Sequence, residues 1–237
     1  MIMGTRRAGF ALTWAVALTL CLAGCGANDA QQGAEFSKFL QARVLDKPGV
    51  HVPQLTDDER ASFGHYAEQY AVITDFNKAM DQSVSPKLTA AMQAGSITSI
   101  GDLSTRLAQL KEAKAGINAM ESALGEHVAR ADAAHAKLEQ PADLKPVYDK
   151  TYDRLVTQPA AAFKSIAPVM NKVLDQAIDL GTYIDQHQAS VRISGPMIET
   201  SDPAVRSAIN EKLQTLQTNQ QAVQAAQARL RSVVYGS

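Results

Sequence analysis

Two places in this 237-residue chain carry residue types arranged for chemistry. The first is Leu22-Ala23-Gly24-Cys25, which closes an apolar run from Phe10 to Leu22 placed just after Arg6 and Arg7. A basic start, a short apolar stretch and small residues before the break form the pattern of a secretory signal. The run is shorter than the roughly 20 residues needed to cross a bilayer core, and Thr13 and Thr19 interrupt it. The expected event is removal of residues 1–24, which leaves Cys25, a nucleophilic side chain open to modification, as the first residue.

The second place is Asp132, His135 and Glu139, whose offsets of three and four align them on one helix face. With Glu126 and His127 nearby, they could form one edge of a metal site. A histidine flanked by acids on a solvated helix accounts for the same residues. No second set of ligands can be identified, so neither a metal site nor a cofactor is assigned. Tyr148, Asp149, Tyr152, Asp153 and Arg154 form a polar-aromatic cluster suited to a sugar or a partner, or to an ordinary amphipathic helix surface. There is no Gly-x-Ser-x-Gly elbow, glycine-rich phosphate loop or His-Glu-x-x-His helix, and no catalytic residue is assigned.

The bulk properties narrow the function classes. Loss of the signal takes Arg6 and Arg7, lowering the cations from 23 to 21 against 24 acids, a formal charge of −3. That is too near neutral to suggest nucleic acid. Cys21 leaves with the signal, so Cys25 is the one cysteine remaining and no intrachain disulfide is expected. Aromatic residues make up 5% of the chain and alanine much of its apolar content, which favours thin helices in close contact.

The elements follow from periodicity and punctuation. Residues 26–33 are small and polar and read as a flexible tether reaching at most about 28 Å. Ala34 to Leu45 reads as a short helix with Phe36, Phe39 and Leu40 on one face. Thr56-Asp-Asp-Glu59 is a capping box. The helix it opens carries Phe63, Tyr66, Tyr70, Ile73, Phe76 and Met80 on a core face and is expected to end before Pro86. Asp102 to Glu139 reads as one long helix of about 57 Å. Its seam is Leu103, Leu110, Ile117, Leu124, Ala131 and Leu138, and its companion positions Leu107, Lys114, Glu121, Val128 and His135 are mixed. Asp143-Leu-Lys-Pro146 starts another helix, and Pro159 punctuates it. Phe163, Ile166, Met170, Val173, Ala177, Leu180 and Ile184 form the strongest seam, with Pro168 implying a kink or a start. Val191 to Glu199 supports a small hairpin or a plain loop. Ser201 or Asp202 caps a last helix striped by Ile209, Leu216, Val223 and Leu230, with Gln220 and Gln227 in its companion seam.

Several segments together resemble the YiaF-like bacterial lipoproteins, a domain family of unknown function. They are Pro53-Gln-Leu-Thr56 with Phe63-Gly64, Tyr70-Ala71, and Asn77-Lys-Ala-Met-Asp81 before Pro86. The most specific are Ala131-Asp-Ala-Ala-His135, Leu138 and Asp143-Leu-Lys-Pro146 with Asp149. The likeness runs from about Phe36 to the last helix and thins toward the C-terminus. It implies a lipidated envelope protein and lends no activity, and Leu22 to Cys25 is similar to a lipobox. The likeness is densest around Asp132, His135, Asp143 and Lys145, which are the candidate functional surface.

The expectation is therefore all-α: an elongated bundle of about five or six helices spanning 34–237 as one domain, with one small β-hairpin near 191–199. The expected function is a non-enzymatic adaptor or structural lipoprotein, membrane-bound through lipid on Cys25. It is expected on the outer membrane facing the periplasm, because Gly26 is not the aspartate of many inner-membrane lipoproteins. Its partner is an envelope protein and not nucleic acid. The alternative is a carrier or sensor whose Phe63–Phe76 face lines a cavity for a small apolar ligand.

Overall fold

A computed structural model describes residues 21–194 and 197–236. The chain forms α1 (Cys21–Leu40), a π turn (Gln41–Leu45), α2 (Asp57–Phe63), α3 (Tyr66–Ala79), a second π turn (Met80–Val84) and α4 (Ser85–Ala94). There follow α5 (Asp102–Thr105), α6 (Leu107–His135), α7 (Lys145–Tyr152), a third π turn (Asp153–Thr157) and α8 (Gln158–Gln186). Strands β1 (Val191–Ser194) and β2 (Met197–Thr200) precede α9 (Pro203–Tyr235). Among the described residues the helices join into seven continuous runs. The fold is all-α with one small antiparallel hairpin, pairing Val191 with Thr200 and Ile193 with Ile198. Most of the expected signal, residues 1–20, lies outside the described residues, as do Gly195 and Pro196 at the hairpin turn.

Two prolines expected to end helices do not. Pro86 and Pro159 each sit in the first turn of α4 and α8, directly after a π turn. A proline ring crowds the carbonyl four residues back. The wider π turn, in which Ser85 N–H bonds Met80 O and Gln158 N–H bonds Asp153 O, relieves that crowding and lets the helix run on. Pro168 lies inside α8, which neither starts nor stops there.

The stretch read as a flexible tether is instead helical. Residues 26–33 belong to α1, Gly33 is buried, and a Cβ there would touch the Tyr66 ring at 3.4 Å. Tyr66 Oη donates to Asp29 Oδ2 at 3.2 Å. Further along α1, Phe36 is fully buried with the rings of Phe39, Phe63, Tyr66, Tyr70 and Tyr148 at centroid distances of 5.4–6.4 Å. Such pairs each contribute about 0.5–1.5 kcal/mol beyond their buried area. The capping box is formed: Thr56 Oγ1 accepts from Glu59 N–H and Glu59 Oε2 accepts from Thr56 N–H.

The single long helix expected over 102–139 is broken at Arg106 and ends at His135. Its seam is buried as far as Ala131, but the second half lies three residues on, at Ala113 and Met120, and not four. Lys114, expected in the seam, pairs with Asp175 of α8. Where α5 crosses α8, a Cβ on Gly181 would lie 1.9 Å from Leu103 O, so only glycine permits the approach. Helix α9 runs antiparallel to α8, with Lys212 on Asp179 and Asn219 Nδ2 on Gln176 Oε1 at 2.8 Å. Asp202 caps it by accepting from Ala204 N–H and Val205 N–H. Val205 and Ile209 are buried, whereas Leu216, Val223 and Leu230 are only partly covered. Gln227 borders a cleft, and the Gln220 side chain is outside the described set. No described helix is long and apolar enough to cross a membrane.

Candidate functional site

The densest polar cluster forms where α6 ends and α7 begins. Lys145 opens α7 with Pro146 in its first turn, and the turn of 136–144 brings α7 back against the last turn of α6. His135 Nε2 lies 2.9 Å from Asp149 Oδ1. Lys145 Nζ donates to the same carboxylate at 3.1 and 2.8 Å. Tyr152 Oη donates to Asp132 Oδ1 at 2.7 Å. The His135 ring stacks on Tyr152 at 4.0 Å and faces Tyr148 at 5.6 Å. Tyr148 Oη donates to Gln69 O at 2.7 Å, tying the cluster to α3.

The charges follow these partners. Burial opposes ionisation of Asp149, but the bonds from Lys145 and His135 outweigh it and hold the carboxyl below its usual range. Burial raises the Tyr152 phenol, and the Asp132 carboxylate beside it raises it further. Burial and Asp29 push Tyr66 up to about 12. The cluster is a closed network: its carboxylates accept from a lysine, a histidine and a phenol that belong to the same two helices.

Of the four candidates, Asp132, His135 and Lys145 are drawn together, through Tyr152 and Asp149. Asp143 is not among them; its Oδ1 accepts from Leu144 N–H at 3.0 Å. Glu139 leaves the expected face because α6 ends at His135, and its carbonyl accepts from Gln69 Nε2 at 3.1 Å. Among the described residues no group of three or more His, Cys, Asp or Glu gathers at metal-binding distance. The polar-aromatic cluster is not a surface: Tyr148 and Tyr152 are buried. Arg154 departs from it and grips the turn after the first π turn. Its guanidinium donates to Leu45 O at 2.8 Å, Gly49 O at 3.2 Å and Lys47 O. Cys25 lies in the second turn of α1.

His127 points elsewhere, because eight residues rotate a helix by two turns and about 80°. Its Nε2 meets Ser83 Oγ of the second π turn at 2.7 Å, in a cleft of about 570 Å³ between α3 and α6. Ser83 Oγ also lies 2.8 Å from Ala79 O, so its one proton has two acceptors within reach, and the direction of its bond with His127 follows the imidazole tautomer. The pair was not legible in the sequence because nothing local links residues 44 apart.

The Phe63–Phe76 face is core and not the wall of a cavity along its length: Phe63, Tyr66, Tyr70, Ile73 and Phe76 are buried, with Phe36 and Phe39 packed on Phe63 and Tyr70, and Phe76 alone of these five borders the cleft of His127 and Ser83. Apolar clefts lie along α9 instead. One of about 1010 Å³ is lined by Ile97, Ile100, Val173, Ile193, Leu213 and Leu216. Another of about 280 Å³ lies between α4, α8 and α9.

Compared with known proteins, the chain matches the family model described as protein of unknown function (DUF3053) over residues 12–231. It is 30% identical over 223 residues to the uncharacterized protein YiaF of Escherichia coli strain K12, covering 92% of each chain. The same figures hold for YiaF of Escherichia coli O6:H1 and of Shigella flexneri. No solved structure matches the chain.

Proposed function

This chain belongs to the DUF3053 family of proteins of unknown function, and we propose that it serves as a lipid-anchored, non-enzymatic adaptor of the bacterial cell envelope. Acyl chains on Cys25 tether it to the membrane, and its helical body offers an apolar groove to a partner protein. The motif from Leu22 to Cys25 supports the anchor. One acyl chain binds a bilayer only marginally, so stable attachment needs two or more. Gly26 favours the outer membrane, with the body in the periplasm. Phe36 follows Cys25 by eleven residues, about 16 Å of helix, which keeps the aromatic end close to the bilayer.

The observation that carries the adaptor reading is the open cleft of about 1010 Å³ formed by the 95–101 loop, β1, α8 and α9. Ile97 is 40% exposed at its edge and Met197, in β2, is 58% exposed. Exposed apolar surface of this kind, rimmed by polar residues, marks interaction sites. A photocrosslinking amino acid placed at Ile97 or Met197 in cells is expected to capture one envelope protein reproducibly. The same amino acid at exposed Lys111 should not capture it. Equal capture at both positions, or none at either, would contradict the reading.

A further inference from the structure

The cleft between α4, α8 and α9 differs from the open groove beside it. It holds about 280 Å³, and three helices bound it. Its walls are Leu88 and Met92 of α4, Met170 of α8, and Val223 and Leu230 of α9, with Gln227 and Arg231 also bordering it. No carboxylate lines it. Arg231 is exposed and, like Arg60, Arg130, Arg192 and Arg229, makes no side-chain ion pair or hydrogen bond with the described residues; it is the cation that borders this cleft. The α9 stripe that should close this seam is left partly uncovered at Val223 and Leu230. Met92 is 49% exposed at the rim.

The geometry points to a binding site for a single-chain amphiphile with an acidic headgroup. Each water-sized group needs about 30 Å³, so the space suits a chain of roughly eight to ten carbons. Methionines at 92 and 170 adapt their shape to a flexible chain at little cost. The guanidinium of Arg231 pairs with a carboxylate or phosphate in a two-bonded fork, and Gln227 supplies a further donor. A cationic headgroup would meet the like charge of Arg231 there, with no carboxylate lining the cleft to offset it. About 280 Å³ is less than a single turn of a partner helix, about 10–12 Å across with its side chains, would fill. This inference stands apart from the adaptor reading and from acylation of Cys25.

The test uses the full chain in native membrane patches, with two probes: a ten-carbon carboxylic acid bearing a diazirine on its chain, and its methyl ester. After irradiation, crosslinked peptides are mapped by mass spectrometry. The acid is expected to mark peptides containing Met92, Met170 and Val223–Arg231, and excess decanoate should compete. Val223→Trp fills the slot and is expected to lower this labelling about tenfold, the ratio that 1.4 kcal/mol produces. Arg231→Gln, on an exposed side chain, should keep the apolar labelling. Its acid-to-ester ratio should fall about threefold from wild type, the scale of a solvent-exposed ion pair. Labelling scattered over the surface, or unaffected by decanoate, would overturn the site. An acid-to-ester ratio unchanged by Arg231→Gln would overturn the acidic headgroup. If Val223→Trp loses its helical circular dichroism, decanoate competition and Arg231→Gln still decide.

Discussion

At Asp149, bonds from Lys145 and His135 outweigh the cost of partial burial and favour the charged carboxylate. Its folded value lies below that of the unfolded chain, about 3.9 for an aspartate. The stabilisation is therefore complete above about pH 4 and fades as the pH falls through the folded value. The side chain is 40% exposed, so the effect belongs to the scale of solvent-screened pairs. Asp149→Asn is expected to be about 1 kcal/mol less stable than wild type at pH 6. The gap in urea unfolding should narrow as the pH falls below about 4; an equal gap at pH 6 and at pH 2.5 would show that charge is not the cause. The sequence placed Asp132, His135 and Lys145 near one another because they flank one turn. It could not show that Asp149 and Tyr152 complete the network, since those bonds depend on how far α7 folds back. It also misjudged Glu139, because the stop at His135 carries no proline or glycine signal.

Helical periodicity made most elements legible. Regular spacing of Leu, Ile and Phe reports burial directly, so the faces of α3, α6 and α8 emerge from sequence. The three π turns did not, because a proline after helical residues looks the same whether the helix ends or widens. The second half of the α6 seam was missed because Ala113 is small and the companion was sought four residues on. Close approach of elements was equally hidden. A Cβ on Gly181 would collide with Leu103 O, whereas Gly125 has nothing within 4 Å. Gly181→Ala is therefore expected to destabilise the protein by about 2–3 kcal/mol, as overpacking does. Gly125→Ala should stabilise it by about 0.5–1 kcal/mol, through lower backbone entropy in the unfolded chain. Thermal unfolding of the two variants checks both signs, and equal effects would contradict the packing described for α5 on α8.

Over the whole molecule, the two ends differ in what packs there. The aromatic end gathers α1, α2, α3 and α7 around Phe36 and continues directly into the helix that carries Cys25. The C-terminus of α9 returns to this end, where Val50 N–H bonds Val234 O at 2.9 Å and Gly49, with φ of 69°, lies against Tyr235 and Gly236. The hairpin lies beyond the far end of α8, a helix about 44 Å long by its residue count. That layout is compatible with the proposed adaptor, fixed at one end and receptive along its length toward the other. The central claim is the lipid on Cys25, and intact-mass spectrometry of the protein extracted from membranes tests it most directly. The account expects a chain beginning at Cys25 and heavier than its residues by two or more acyl chains, with that mass absent from Cys25→Ser. An unmodified Cys25, or a chain that still carries residues 1–24, would contradict it.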